Sequence, residues 1–235
     1  MILWRKKLEK TLISICGSIE DINQRVVKKT FMHKNLNDCN SIKGFLDHDE
    51  GILLYQMAKK YCNKTFAVEI GSYCGKSACY IGEACKENKT HLVTIDHHRG
   101  SEEQQYGEEY FDSEEYDYEK QRVDTLPSLL KNISRFQLDE YIKVMVETSK
   151  SASEKIKNEI DFLFIDGSHT FESARADYES WKEKIRVGGI LAIHDIYDSE
   201  LEGGQAPTEI YEKALGENFK LIKRVKSLVA LEKIS

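Results

Sequence analysis

Short apolar runs recur along the chain, separated by stretches in which apolar residues return every three or four positions. The runs are residues 66–70, 91–96, 141–146, 161–166 and 190–193, and Phe162 to Ile165 is unbroken, as a strand buried on both faces requires. Between them the helical spacing predicts helices over 77–86 and 126–135, another ending near Lys155, and one through Ala174, Tyr178 and Trp181. Such alternation predicts a doubly wound α/β fold on a mostly parallel sheet. Gly188-Gly189 reads as a turn into the fifth strand, and residues 203–207 as a loop before a helix to Leu215. The chain then closes with runs at 219–225 and 228–234, parted only by Lys226 and Ser227. That spacing predicts a hairpin, so seven strands are expected, the last of them antiparallel.

Ahead of the sheet, Ile13, Cys16, Ile19, Ile22 and Val26 recur at helical spacing, and Asp47 is placed to cap a helix through Leu53, Leu54, Met57 and Ala58. Residues 1–46 are therefore read as a helical extension that covers the core or forms a homodimer, with a substrate lid as the sharper alternative, and 47–235 as the main domain. Within it, residues 97–119 carry no sustained apolar period. Their length points to a functional loop, and Tyr106, Tyr110, Phe111, Tyr116 and Tyr118 among acids suit a polar or polyhydroxylated ligand.

Composition narrows the class. The 235 residues suffice for one domain with a real core, and the net charge of -6 is concentrated, nine carboxylates and no Lys or Arg falling in 101–119. A local acidic loop argues against a nucleic-acid surface. The six cysteines include no Cys-x-x-Cys pair and no zinc spacing, which predicts reduced, buried thiols in a cytoplasmic protein. The apolar stretch from Leu12 to Cys16 is too short for a membrane span, so no membrane partner is expected.

The chemistry gathers at residues 65–77, where a predicted strand stops at Gly71 and Gly75 precedes a helix. Glycines belong in such a turn because a Cβ blocks both positive φ and close approach of a ligand to the backbone. A dinucleotide fingerprint needs a middle glycine, and Tyr73 stands there. Glu69, two residues before the turn, suits a cationic cofactor and repels a pyrophosphate. Asp96 ends the next strand 25 residues past Gly71, the place from which a carboxylate reaches a ribose. The fourth and fifth runs end in Asp166-Gly-Ser-His169 and His194-Asp195. Neighbouring strands would bring these four side chains to one rim, where a histidine takes a proton or a metal acidifies a hydroxyl. The plainer alternatives are that His169 caps the following helix and that His194 packs beneath the cofactor.

Glu69-Ile-Gly71-Ser-x-x-Gly75-Lys-Ser77, Ile95-Asp96-His97, Ile165-Asp166-Gly-Ser-His169 and Gly188-Gly-Ile-Leu-Ala-Ile-His194-Asp195, in that order, resemble the class I S-adenosylmethionine-dependent methyltransferases. The likeness runs over about residues 42–235 and is to the group of small-molecule and sugar O-methyltransferases, including a branch with a magnesium-dependent mannoside O-methyltransferase of mycobacteria. The resemblance implies a Rossmann-like methyltransferase fold and cofactor contacts at Glu69, Gly71, Ser72, Gly75, Ser77, Asp96, His97, Ser149 and Asp166. It also implies Mg²⁺ on the acids that end the fourth and fifth runs, here Asp166 and Asp195, and a hydroxylated small molecule or sugar as substrate. The chemistry of the same rim, read independently, makes His169 and His194 the expected catalytic residues, with His169 the general base. His194 stands where metal-dependent relatives carry an acid, and imidazole suits Mg²⁺ poorly. Metal-free methyl transfer and a cofactor-binding protein with other chemistry, such as hydroxylation, are the competing expectations.

Overall fold

The computed structural model describes residues 35–108, 110–199, 201 and 203–235. The helical spacing from Ile13 to Val26 lies outside the described residues. The chain divides into two compact units, Met1–Asp38 and Cys39–Ser235, and the second carries every element named below.

Seven strands form one sheet. They are β1 (Ala67–Ile70), β2 (Leu92–Ile95), β5 (Ile142–Met145), β6 (Ile160–Ile165), β7 (Ile185–Ile193), β8 (Phe219–Val225) and β9 (Leu228–Lys233), and β3 (Tyr116–Asp117) pairs with β4 (Arg122–Val123) in a separate ribbon. The order across the sheet is β5-β2-β1-β6-β7-β9-β8. Parallel pairing joins the first five, while β9 runs antiparallel to both its neighbours. This is the Rossmann-like methyltransferase architecture with an antiparallel last strand. Every residue of β1, β2 and β6 is buried, which is why these strands read as mostly apolar runs, broken only by Glu69, Thr94 and Asp161.

The fifth strand is longer than its apolar run. Gly188 and Gly189 lie inside β7 rather than in a turn, with Gly188 at φ +74° and the register to β6 shifting nearby. A bulge absorbs the glycine pair and lets the strand continue.

Helices α1 (His48–Tyr61), α2 (Lys76–Asn88), α3 (Leu126–Arg135), α4 (Ser149–Lys155), α5 (Phe171–Trp181) and α6 (Ala206–Gly216) accompany the sheet. One side of the core is built by Trp181 and Tyr178 of α5 with Leu163 and Ile165 of β6, all buried. Asp47 caps α1 in a reciprocal box with Glu50. Gly51 lets α1 lie close on α2, since a Cβ there would fall 2.3 Å from the Tyr80 ring. His48 Nδ1 meets the Tyr80 hydroxyl at 2.8 Å. These contacts set the turn of α1 that carries Glu50.

Asp161 of β6 fixes the entry to β1. Fully buried, it accepts the backbone N–H groups of Lys64 and Thr65 at 2.7 Å each and pairs with Arg186. Asp161→Ala takes the counter-charge from Arg186, which keeps only the Tyr61 and Val187 carbonyls, and leaves two amides without an acceptor, so a loss of about 3–5 kcal/mol is expected in urea denaturation; a loss below about 1 kcal/mol would show that the loop closes without it. Burial alone would raise the Asp161 pKa, but the two amides and Arg186 outweigh it and hold it below the usual aspartate range. Its contribution is therefore complete above about pH 4, the unfolded-chain value, and is lost as the pH falls through the lower folded value.

Candidate active site

The strand order reverses at β1 and β6, and the crevice outside the carboxyl ends of strands at such a switch is where ligands bind in open α/β sheets. A cavity of about 790 Å³ opens there, running from Ser72, Asp96 and Ser149 to Asp166, His169 and Asp195. Its size is that of a cofactor-plus-substrate site.

At one end is the turn from β1 to α2. Gly71 has φ +84°, and a Cβ there would stand 2.0 Å from the carbonyl oxygen of Asp166. Only glycine brings the tips of β1 and β6 this close. Asp96 holds the turn from the other side, its Oδ2 accepting the Ser72 and Tyr73 amides at 3.0 Å each and its Oδ1 the His98 amide at 2.7 Å. A carboxylate has about four acceptor positions, so one remains for a ligand. The acid anticipated as a ribose contact thus also shapes the backbone cradle.

Glu69 is fully buried beneath this turn; burial pushes its pKa up to about 8. Its Oε2 accepts from Thr94, while Oε1 and the buried Ser72 hydroxyl have no partner among the described residues. These orphaned oxygens beside a bare backbone cradle fit a ligand that brings its own polar, positively charged end. Ser77 is buried at the start of α2, and Gly75 is its left-handed N-cap. Ser149 opens α4 and accepts from Trp181 Nε1 at 3.0 Å. His97 lines the cavity and is exposed, whereas His98, which the sequence did not single out, is buried and meets Thr125 Oγ1 at 2.8 Å.

The other end is the rim formed by β6 and β7, and all four side chains expected there meet. His169 Nε2 lies 3.0 Å from Asp195 Oδ2, and its Nδ1 lies 3.5 Å from Glu103. The Asp195 hydrogen bond raises the His169 pKa to about 9. Thr170, not His169, caps α5. His194 is buried, with Nδ1 at 3.1 Å from Asp166 and 3.3 Å from Asp195 and Nε2 at 3.0 Å from Glu50. Burial disfavours its charge, yet the surrounding carboxylates hold its pKa well above the ordinary histidine value. Ligand atoms of Asp166, His169 and Asp195 lie within 4.8 Å of one another. Two carboxylates with room for water fit Mg²⁺, while the imidazole is the donor that fits it least.

The acidic insertion is anchored over this cavity. Tyr73 donates its hydroxyl to Asp112 at 2.8 Å, and Lys43 pairs with the same carboxylate at 2.8 Å. Of the five aromatic residues anticipated there, Tyr106, Phe111, Tyr116 and Tyr118 pack on one another at centroid distances of 5.0–5.8 Å. Tyr110 instead lines the cavity, edge-on to Phe45 at 5.7 Å. Glu50 and Phe45 are among the site residues that sequence reasoning passed over, as are Glu103 and His98. The Asp47-x-x-Glu50 capping pattern was visible, but it accounts for Glu50 without any reference to the rim.

Comparison with known proteins agrees with the fold. Among the solved structures that share it at low identity are three methyltransferases. The O-methyltransferase TomG of Streptomyces achromogenes, in complex with S-adenosylmethionine, is 13% identical over 81% of this chain and 82% of its own, with a TM-score of 0.57. A Podospora anserina methyltransferase with S-adenosylhomocysteine bound is 13% identical over 94% and 99%, with a TM-score of 0.60. An O-methyltransferase from Bacillus cereus in complex with S-adenosylhomocysteine is 14% identical over 97% of both chains, with a TM-score of 0.56. The family described as a methyltransferase domain matches residues 68–196, more than half of the sequence, and the chain belongs to that family.

Proposed function

We propose that this protein is an S-adenosylmethionine-dependent O-methyltransferase acting on a hydroxyl of a small molecule, with sugars among the candidate acceptors. The observation that carries the reading is one cavity joining the Gly71–Asp96 cradle to the Asp166, His169 and Asp195 rim. Family membership and the cofactor-bound relatives support it.

In this reading Glu69, Gly71, Ser72, Gly75 and Ser77 receive the amino-acid end of the cofactor, Asp96 and His97 its ribose, and Ser149 and Asp166 its adenine and methyl ends. When bound, the cofactor supplies a methyl group on a sulfonium that departs as a neutral thioether, so no general acid is needed. What the chain must supply is alignment and a proton acceptor. His169 takes the hydroxyl proton while Asp195 holds its Nε2, 3.0 Å away, and fixes the ring's orientation. His194, hydrogen-bonded at both ring nitrogens, steadies Asp166 and Asp195. A Mg²⁺ ion would be held by these two carboxylates, where its charge lowers the pKa of the acceptor hydroxyl.

A metal-free version of the same transfer is favoured by one feature, that both carboxylates already face histidines. The reading also takes the protein to be a cytoplasmic homodimer, supported by the cysteine pattern and the apolar spacing of the N-terminal residues. No helix among the described residues is long and apolar enough to cross a membrane.

Methyl-labelled S-adenosylmethionine incubated with a panel of sugars and phenols, with and without EDTA, tests the function. Label recovered as a methyl ether is expected. Loss of transfer in EDTA supports the Mg²⁺ form and persistence the metal-free form, whereas label recovered only on nitrogen or carbon contradicts O-methylation.

A further inference from the structure

Glu50 lies 144 residues from His194 in sequence, yet it is the residue on which the rim is hung. It is buried and accepts four hydrogen bonds. Oε2 takes the Asp47 amide and His194 Nε2, each at 3.0 Å, and Oε1 takes the Ser227 amide at 2.9 Å and the Ser227 hydroxyl at 2.8 Å. Every partner is a donor, so only a carboxylate, which accepts at both oxygens, satisfies the site. Burial works against its charge, and the bond to His194 and that ring's charge outweigh the burial. With Nε2 committed to Glu50, the other ring nitrogen points at Asp166 and Asp195. Asp195 is in the left-handed region at φ +58° and in turn receives His169 Nε2 and the Tyr197 hydroxyl, each at 3.0 Å.

We propose that Glu50 is a positioning residue, which through His194 holds Asp166 and Asp195 side by side and through Asp195 aims His169 into the cavity. The rim is thereby tied to three elements, the first turn of α1, the β8–β9 hairpin at Ser227 and the end of β7. Close packing of Gly51 on Tyr80 fixes the helix turn that presents Glu50. The catalytic meaning of this arrangement rests on the methyltransferase reading, but the positioning is measurable without an acceptor.

Histidine-selective ¹⁵N labelling with two-bond proton–nitrogen spectra reads each ring at fixed pH. In Glu50→Gln the amide NH₂ must oppose donors on one side, either at Ser227 or at His194 and the Asp47 amide. The expected result is displacement of both the His194 and His169 signals, with those of His91, stacked on Phe66 at 5.0 Å at the opposite end of the strands, unchanged. Glu50→Asp keeps an acceptor-only group one methylene short, so smaller shifts of the same two rings are expected, and it is read alone if the Gln variant does not fold. Displacement of His194 without His169, or equal displacement of His91, overturns the proposal. Titration of the wild-type protein with S-adenosylhomocysteine keeps the two claims apart, since absence of binding removes the methyltransferase reading while the ring shifts still decide the positioning.

Discussion

His169→Ala is expected to lower turnover by about 10²–10⁴-fold, the usual contribution of a positioned acid–base group, with affinity for S-adenosylhomocysteine unchanged. The effect should fall on the chemical step because His169 touches neither the Gly71 turn nor Asp96. Its polar partners are Asp195 at 3.0 Å and Glu103 at 3.5 Å. The Asp195 hydrogen bond raises its pKa to about 9, and only the neutral ring accepts a proton. In the metal-free form, where Asp195 is free to hold His169, wild-type turnover should therefore climb from pH 7 towards pH 9 and then level off, and the variant should lack that climb. Near wild-type turnover in His169→Ala would reject the assignment.

Gly71→Ala is expected to abolish cofactor binding, with a loss of at least about 100-fold in affinity by calorimetry, equivalent to roughly 3 kcal/mol. Two separate costs meet at this residue. Its φ of +84° is one that a side chain rarely adopts, and the added Cβ would stand 2.0 Å from a backbone oxygen that cannot swing aside. Relief requires the tips of β1 and β6 to part, which opens the cradle held by Asp96. The nearby Gly204, where a Cβ meets nothing within 4 Å, is the control, and Gly204→Ala should bind as wild type. Retained binding in Gly71→Ala would mean that the turn is not the cofactor cradle.

The sheet was legible because its central strands are buried on both faces, so Phe162 to Ile165 reads as an interior strand, and because only Lys226 and Ser227 part the last two segments, a spacing that specifies a hairpin. The start of β7 was not legible, since Gly188-Gly189 signals a turn and only pairing with β6 turns it into a bulge. The rim was legible as far as it is written at strand ends, where Asp166 and the His194-Asp195 pair each follow an apolar run. Partnership across the fold was not. Nothing local distinguishes His97 from His98, although one faces the cavity and the other is buried against Thr125. Glu50 carries a helix-cap signal that fully explains a glutamate at that position, and its second task depends on packing between α1 and α2. The aromatic residues of the insertion were visible as a group, but which one turns to the cavity is decided by their contacts with each other.

Calorimetric titration of the metal-free protein with S-adenosylhomocysteine, repeated with Mg²⁺ present, tests the central claim most directly. The account predicts micromolar binding, on the order of -8 kcal/mol, in the absence of any acceptor. No heat of binding under either condition would mean that the turn from Glu69 to Gly75 does not hold this cofactor, and would contradict the proposed methyl transfer even though the fold stands.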